Sequence, residues 1–156
     1  MDYYNLQGVE LYTYIYNRKC KYHEYIDYHT NGNRCEWTLG IDLHNTRGPA
    51  IIVISLLEKN LYQKRYYKFG VPHNSNGPAY TFYYENGVKS YELYYINGKL
   101  HNSNGPADIL YYIDGQKHQE RYFDNGVLHN NNGPAIIIYN NGDREVEEYW
   151  IHGNRK

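Results

Sequence analysis

The sequence predicts an all-β fold: an elongated solenoid, a single-layer sheet of stacked antiparallel β-hairpins, with one hairpin per repeat of about 28 residues. Three observations carry that expectation. A seven-residue stretch occurs four times, as HNTRGPA from His44, HNSNGPA from His73, HNSNGPA from His101 and HNNNGPA from His129, and the starts lie 29, 28 and 28 residues apart. A fixed period of about 20 to 50 residues marks one supersecondary unit stacked on its neighbours. Asn-Gly and Asp-Gly pairs separate runs of alternating apolar and polar residues, which is the strongest short hairpin signal. No stretch signals a helix, and Tyr, which favours half-covered sheet faces, supplies 22 of the 156 residues.

The repeated stretch is read as the turn that launches each repeat's first strand. All four alanines of the chain (Ala50, Ala79, Ala107, Ala135) lie in it. So do four of the five prolines, Pro49, Pro78, Pro106 and Pro134, each preceded by a glycine: Gly48, Gly77, Gly105, Gly133. Gly accepts unusual turn angles, Pro is tolerated at the first residue of a strand, and Asn favours turns through bonds from its side chain to backbone. Ala after Pro is expected to be the small inward side chain where backbone passes close to backbone.

Residues 1–43 are read as a degenerate N-terminal repeat or cap. A strand is expected between Gly8 and Asn17, then a hairpin at Asn31-Gly32. The strand Ala50 to Leu57 is apolar on both faces, so the N-terminal segment is expected to pack over it. Four repeats follow within one continuous domain, 44–72, 73–100, 101–128 and 129–156. In the clearest, YTFYYE and DILYYI precede Asn86-Gly87 and Asp114-Gly115, and VKSYELYYI and QKHQERYFD run on to Asn97-Gly98 and Asn125-Gly126. Registered on that closing turn, the second strands give one column of Tyr66, Tyr94, Tyr122 and Tyr149 beside another of Tyr67, Tyr95, Phe123 and Trp150. Adjacent residues of a strand point to opposite faces. Leu93 and Val146 then share the face of Tyr95, which is expected to be the interior, while Glu92, Glu120 and Glu147 share the open face of Tyr94. The last strand carries Asp143, Arg144, Glu145, Glu147 and Glu148, charges that discourage pairing with another chain.

Hairpins of this size, closing turns such as YINGK, and a short loop between hairpins resemble MORN repeats over residues 44–156. The HNxNGPA form is similar to the divergent MORN-like repeats of large DNA viruses of amoebae and their associated elements, although its 28-residue period and Gly-Pro-Ala corner depart from the usual unit. The resemblance implies a viral scaffold or partner-binding surface working in a host cytoplasm or virus factory. It also implies membrane-lipid association as a proposed property of some members.

Function is bounded mainly by exclusion. Sixteen basic and 17 acidic residues are well mixed, giving a formal charge of −1 and no stripe that would suit nucleic acid or an acidic bilayer. No leader-like or membrane-spanning stretch appears at the start or elsewhere, so a cytoplasmic location is expected. Cys20 and Cys35 are then expected as free thiols. Equivalent histidines (His44, His73, His101, His129) would stand about 10 Å apart, too far to share a metal, so no metal or cofactor is expected and a turn role is preferred. The single neighbourhood of Cys20 with His23 and His29 offers poor grounds for catalysis, and no enzymatic activity is expected. The candidate interaction face is Tyr94, Tyr122 and Tyr149 with Glu92, Glu120 and Glu147, whose rings and carboxylates could bind a protein partner, including a second copy. Glycan or peripheral lipid binding through an aromatic face is the alternative.

Overall fold

The computed structural model describes residues 24–29, 32–39, 42–43, 48–54 and 61–156, with side chains for 48–53 and 63–156. The expected strand at Gly8 to Asn17, Cys20, the Cys35 side chain and His44 lie outside the described residues. No helix occurs among the described residues, so none is long and apolar enough to cross a membrane.

The chain begins with β1 (Glu24–His29), β2 (Gly32–Leu39), the short β3 (Asp42–Leu43) and β4 (Ile51–Ile54). Next come β5 (Leu61–Arg65), β6 (Tyr67–Lys68) and β7 (Val71–Pro72). Residues 73–100 supply β8 (Tyr80–Tyr83), β9 (Lys89–Leu93), β10 (Tyr95–Ile96) and β11 (Lys99–Leu100). The same series recurs as β12 (Asp108–Tyr111), β13 (Lys117–Arg121), β14 (Phe123–Asp124) and β15 (Val127–Leu128). It recurs again as β16 (Ile136–Asn140), β17 (Asp143–Glu148), β18 (Trp150–Ile151) and β19 (Asn154–Arg155). The long strands form one antiparallel sheet of eleven strands in the order β1-β2-β4-β5-β8-β9-β12-β13-β16-β17, with β3 beside β2.

Each unit therefore holds two hairpins, not the single one expected. The long strand ends before Tyr66, Tyr94, Tyr122 or Tyr149, and the residues beyond form separate two-stranded ribbons, β6-β7, β10-β11, β14-β15 and β18-β19. The second hairpin has a local cause. Phe69-Gly70, Asn97-Gly98, Asn125-Gly126 and His152-Gly153 all take positive φ at both residues, the geometry of a tight two-residue hairpin turn. Successive ribbons are joined by Gly98 N–H to Pro72 O, Gly126 N–H to Leu100 O and Gly153 N–H to Leu128 O, each at 2.8 to 2.9 Å.

The repeated turn is held by its own side chains. Asn74, Asn102 and Asn130 each donate from Nδ2 to the carbonyl of Pro78, Pro106 or Pro134 at 2.8 to 2.9 Å. Their Oδ1 atoms accept from the backbone N–H of Asn76, Asn104 and Asn132 at 3.0 to 3.1 Å. His73 Nδ1 accepts from Asn97 N–H, His101 Nδ1 from Asn125 N–H and His129 Nδ1 from His152 N–H, so each imidazole fastens its turn to the following ribbon. Every Ala is fully buried, donating to the return strand of its own hairpin while its carbonyl accepts from Tyr66, Tyr94 or Tyr122 of the preceding unit where one precedes it. A larger side chain there would have to displace backbone on either side.

Two expectations about packing are corrected. Where the N-terminal segment is described, β2 pairs edge to edge with β4, Cys35 opposite Ile52, and extends the sheet instead of lying over it; residues 1–23 and 55–57 of that expectation lie outside the described residues. Secondly, the row of nearly buried side chains runs along the supposedly open face. Ile52, Lys64, Thr81, Glu92, Ile109, Glu120, Ile137 and Glu147 stand directly opposite one another across successive strands and so share one face. Of these Ile52, Thr81, Glu92, Ile109, Glu120 and Ile137 are buried, whereas Tyr67, Tyr95, Phe123 and Trp150 are only half-buried.

A tyrosine and carboxylate face

The placement of Glu92 and Glu120 follows from one irregularity that recurs in the long hairpins β8-β9, β12-β13 and β16-β17. The register shifts between Phe82 and Tyr83, between Leu110 and Tyr111, and between Ile138 and Tyr139, so the partner strands carry one extra residue, Ser90, His118 or Glu145. In a regular strand, residues i and i+3 point to opposite faces; an inserted residue puts them on the same one. Lys89 can thus reach Glu92, with Nζ 2.7 Å from Oε1, and Lys117 reaches Glu120 at 2.5 Å.

The second carboxylate oxygen belongs to the neighbouring unit. Tyr111 OH donates to Glu92 Oε2 and Tyr139 OH to Glu120 Oε2, both at 2.6 Å. Each Glu is 4% exposed, and these bonds replace the water it gave up. The phenols respond. Burial, with the bond to Glu92, raises Tyr111 above its usual range. Burial and the bond to Glu120 push Tyr139 up to about 12, and burial with the nearby Glu92 charge pushes Tyr83 up to about 12. All three hydroxyls are held in the protonated form that can donate.

The ladder changes at both ends of the repeat series. Lys64 takes the carboxylate position of the first full unit, and its pKa is lowered by burial and then by the Lys89 charge. At the far end Arg144 donates to Glu147 Oε1 at 2.8 Å, and Glu147 Oε2 accepts from Tyr149 OH at 3.1 Å. Those bonds hold the Glu147 carboxyl below its usual range, the Arg144 bond foremost.

The sequence-derived interaction face is therefore split by the structure. Tyr94 and Tyr122 are half-buried and Tyr149 is 46% exposed, so the rings remain at the surface. Glu92 and Glu120 lie beneath as internal supports, and Glu147 alone of the three carboxylates is exposed. Lys89, Lys117, Arg144, Tyr83, Tyr111 and Tyr139 were missed. A signal for the cations was present: a basic residue stands three places before the Glu in KSYE, KHQE and REVE.

The opposite face is built around Tyr80, whose ring lies 5.7 Å from that of Tyr67 and 5.2 Å from that of Tyr95, with Tyr80 OH donating to Tyr67 OH at 2.8 Å. In the next unit Asp108 replaces Tyr80 and is buried in an ion pair with Arg121, whose guanidinium also lies 5.9 Å from the Phe123 ring centre. Trp150 Nε1 donates to Glu148 Oε2 at 3.0 Å. Thus Tyr67 and Tyr95 both rest on Tyr80, Phe123 lies beside Arg121 and Trp150 bonds Glu148. Among the described residues no group of three His, Cys, Asp or Glu side chains is placed to hold a metal ion. Set against known proteins, the chain matches no family model, and neither a curated protein nor a solved structure matches it significantly.

Proposed function

We propose that the chain is a non-enzymatic interaction scaffold, a solenoid of two-hairpin units that presents its tyrosine column to a protein partner or to a second copy of itself. One observation carries this reading. The same inter-unit ladder recurs at Glu92 and Glu120, and it satisfies these buried carboxylates while Tyr94, Tyr122 and Tyr149, one per unit, stay at least partly at the surface. Rings recurring once per unit on a hydrogen-bonded sheet offer aromatic contact area to a partner. The resemblance to divergent MORN-like repeats supports a scaffold over a catalyst, and with it a cytoplasmic, viral setting.

The test is chemical cross-linking together with light scattering over a concentration series. It compares the wild-type chain with a Tyr94→Ser, Tyr122→Ser, Tyr149→Ser variant whose strand content is checked by circular dichroism. Cross-linked species or self-association lost in the folded variant supports the reading. Association that survives the triple change assigns the interface elsewhere and overturns it.

A further inference from the structure

The scaffold reading leaves open where a partner attaches, and the inference here rests on that reading. We propose that the outer edge of β17 accepts one extended segment of another polypeptide, which joins the sheet as an antiparallel strand. The sequence of the segment is Ala, a basic residue, two apolar residues and then Tyr.

The internal joints between units define the fit. The second strand of one unit meets the first strand of the next: β5 meets β8, β9 meets β12 and β13 meets β16. At the last two joints Tyr91, Glu92 and Leu93 face Leu110, Ile109 and Asp108, and Gln119, Glu120 and Arg121 face Ile138, Ile137 and Ile136. β17 is a strand of the same kind, with the same extra residue, and its Val146, Glu147 and Glu148 occupy those positions. Among the described residues no strand pairs its other edge.

Backbone and side chain both point to the same occupant. Tyr94 N–H donates to Ala107 O at 2.7 Å and Tyr122 N–H to Ala135 O at 2.8 Å. By antiparallel alternation, the N–H and C=O of the residue two before each Tyr face that same neighbour. In β17 the corresponding groups are Tyr149 N–H and both backbone groups of Glu147. Inside the sheet the Oε2 of each Glu receives a hydroxyl from the next unit at 2.6 Å, but Glu147 Oε2 holds only its own neighbour Tyr149 at the longer 3.1 Å. A Tyr two places beyond the residue opposite Glu147 reproduces the interior bond.

The remaining positions follow by complementarity. The residue after Ala would face Glu148, on an edge with four acidic side chains and one Arg, so it should be Lys or Arg. The residue facing Val146, itself 38% exposed, should be apolar as Leu110 and Ile138 are. A second copy is the poorer occupant through this edge. Antiparallel pairing of β17 with itself, centred on Val146, sets Glu145 opposite Glu147, and centred on Glu147 sets that acid opposite itself.

The experiment titrates the full ¹⁵N-labelled chain with the synthetic peptide Gly-Pro-Ala-Lys-Ile-Ile-Tyr-Lys. Two control peptides replace its Tyr with Phe or exchange the Tyr with the preceding Ile, which turns the phenol to the opposite face. Saturable shifts centred on Glu145, Glu147 and Tyr149 are expected. The Phe peptide should bind about tenfold more weakly, Glu147→Gln should cost the same with the parent peptide, and the two changes together should cost little more than either. Absence of saturation at millimolar peptide, equal binding of the exchanged peptide, or shifts centred on Tyr94 and Tyr122 would each overturn the assignment. So would movement of the β17 amides with protein concentration alone, which would put a second copy on the edge. Failure here, with association still lost in the triple Tyr variant, would remove the edge inference and leave the scaffold reading standing.

Discussion

The carboxylate ladder places one chemical group in two environments, buried at Glu92 and Glu120 and exposed at Glu147, so truncating it at all three positions separates burial from chemistry. In Glu120→Ala, Tyr139 OH loses an acceptor at 2.6 Å and Lys117 loses its partner. A hydrogen bond to a buried charged group contributes about 1.5 to 3 kcal/mol, whereas the Lys, whose side chain is 49% exposed, returns to water and adds about 0 to 1. The expected loss is about 2 to 3 kcal/mol. Glu92→Ala removes the same pair of contacts, from Tyr111 and Lys89, and should cost as much. Glu147→Ala removes bonds from two exposed partners, Arg144 and Tyr149, that water can replace, and should cost clearly less than either inner change. Urea titration followed by tyrosine and tryptophan fluorescence reads the difference. With a slope of about 2 kcal/mol per molar, the inner variants should move the midpoint down by about 1 M and the terminal one by clearly less. Tyr139→Phe combined with Glu120→Ala should cost less than the sum of the two. Equal midpoints for Glu147→Ala and Glu120→Ala would refute the claim that the neighbouring unit's hydroxyl sets the value of the carboxylate.

Four further outcomes are expected. Ala107→Val, at a fully buried site flanked by bonded backbone on both sides, should destabilise by about 1 to 3 kcal/mol in the same titration. Gly98→Ala should cost clearly more than Gly87→Ala: both have φ near +80°, but a Cβ at 98 would sit 2.9 Å from Val71 Cγ1 while nothing lies within 4 Å of one at 87. Tyr139, raised from 10.0 to about 12, binds its proton more tightly when folded, so its contribution is complete below pH 10 and fades as pH rises through 12. A Tyr139→Phe variant should start less stable and lose less over that window, measured by urea midpoints at each pH. Lys64→Glu should stabilise by a few tenths of a kcal/mol, because it puts a carboxylate at the ladder position beside Tyr83 and because Lys89 outweighs Glu92 among the charges acting there; a loss above about 1 kcal/mol would contradict this.

The large features were legible because each rests on local chemistry. Paired Asn-Gly and Asp-Gly signals marked hairpin ends, and the all-β class is what the chain adopts. The second hairpin was hidden because VKSYELYYI reads as one alternating strand. Only the φ values of Asn97 and Gly98, with the backbone bond from Tyr94 to Ala107, show the sheet releasing the chain at Tyr94. The single extra residue at Ser90 or His118 was equally invisible, since period-two counting assumes no insertion. That one residue decides whether Lys89 meets Glu92, and so whether the acidic column lies open or buried. Asp108 shows the limit most plainly: a polar residue in a strand reads as outward, yet it is buried because Arg121 stands opposite it in the register.

The repeat also separates residues held by architecture from residues free to carry specificity. His, Asn, Gly, Pro and Ala of the turn recur in unit after unit, and in the last three units each of the His, Asn and Ala residues has a named bond within the fold. Their recurrence therefore needs no ligand to explain it. The positions that change between units tell a different story. The residue after Ala is Ile51, Tyr80, Asp108 and Ile136 in turn, and the ring of the ribbon is Tyr67, Tyr95, Phe123 and Trp150. Each replacement is accommodated by its own partner: Tyr80 by Tyr67 and Tyr95, Asp108 by Arg121, Trp150 by Glu148. The joint between units is thus constant while the residues packed beside it vary; on the scaffold reading proposed above, partner contact is expected at the Tyr94, Tyr122 and Tyr149 column and at the β17 edge, which no strand among the described residues pairs, with the turn motif serving the joint alone.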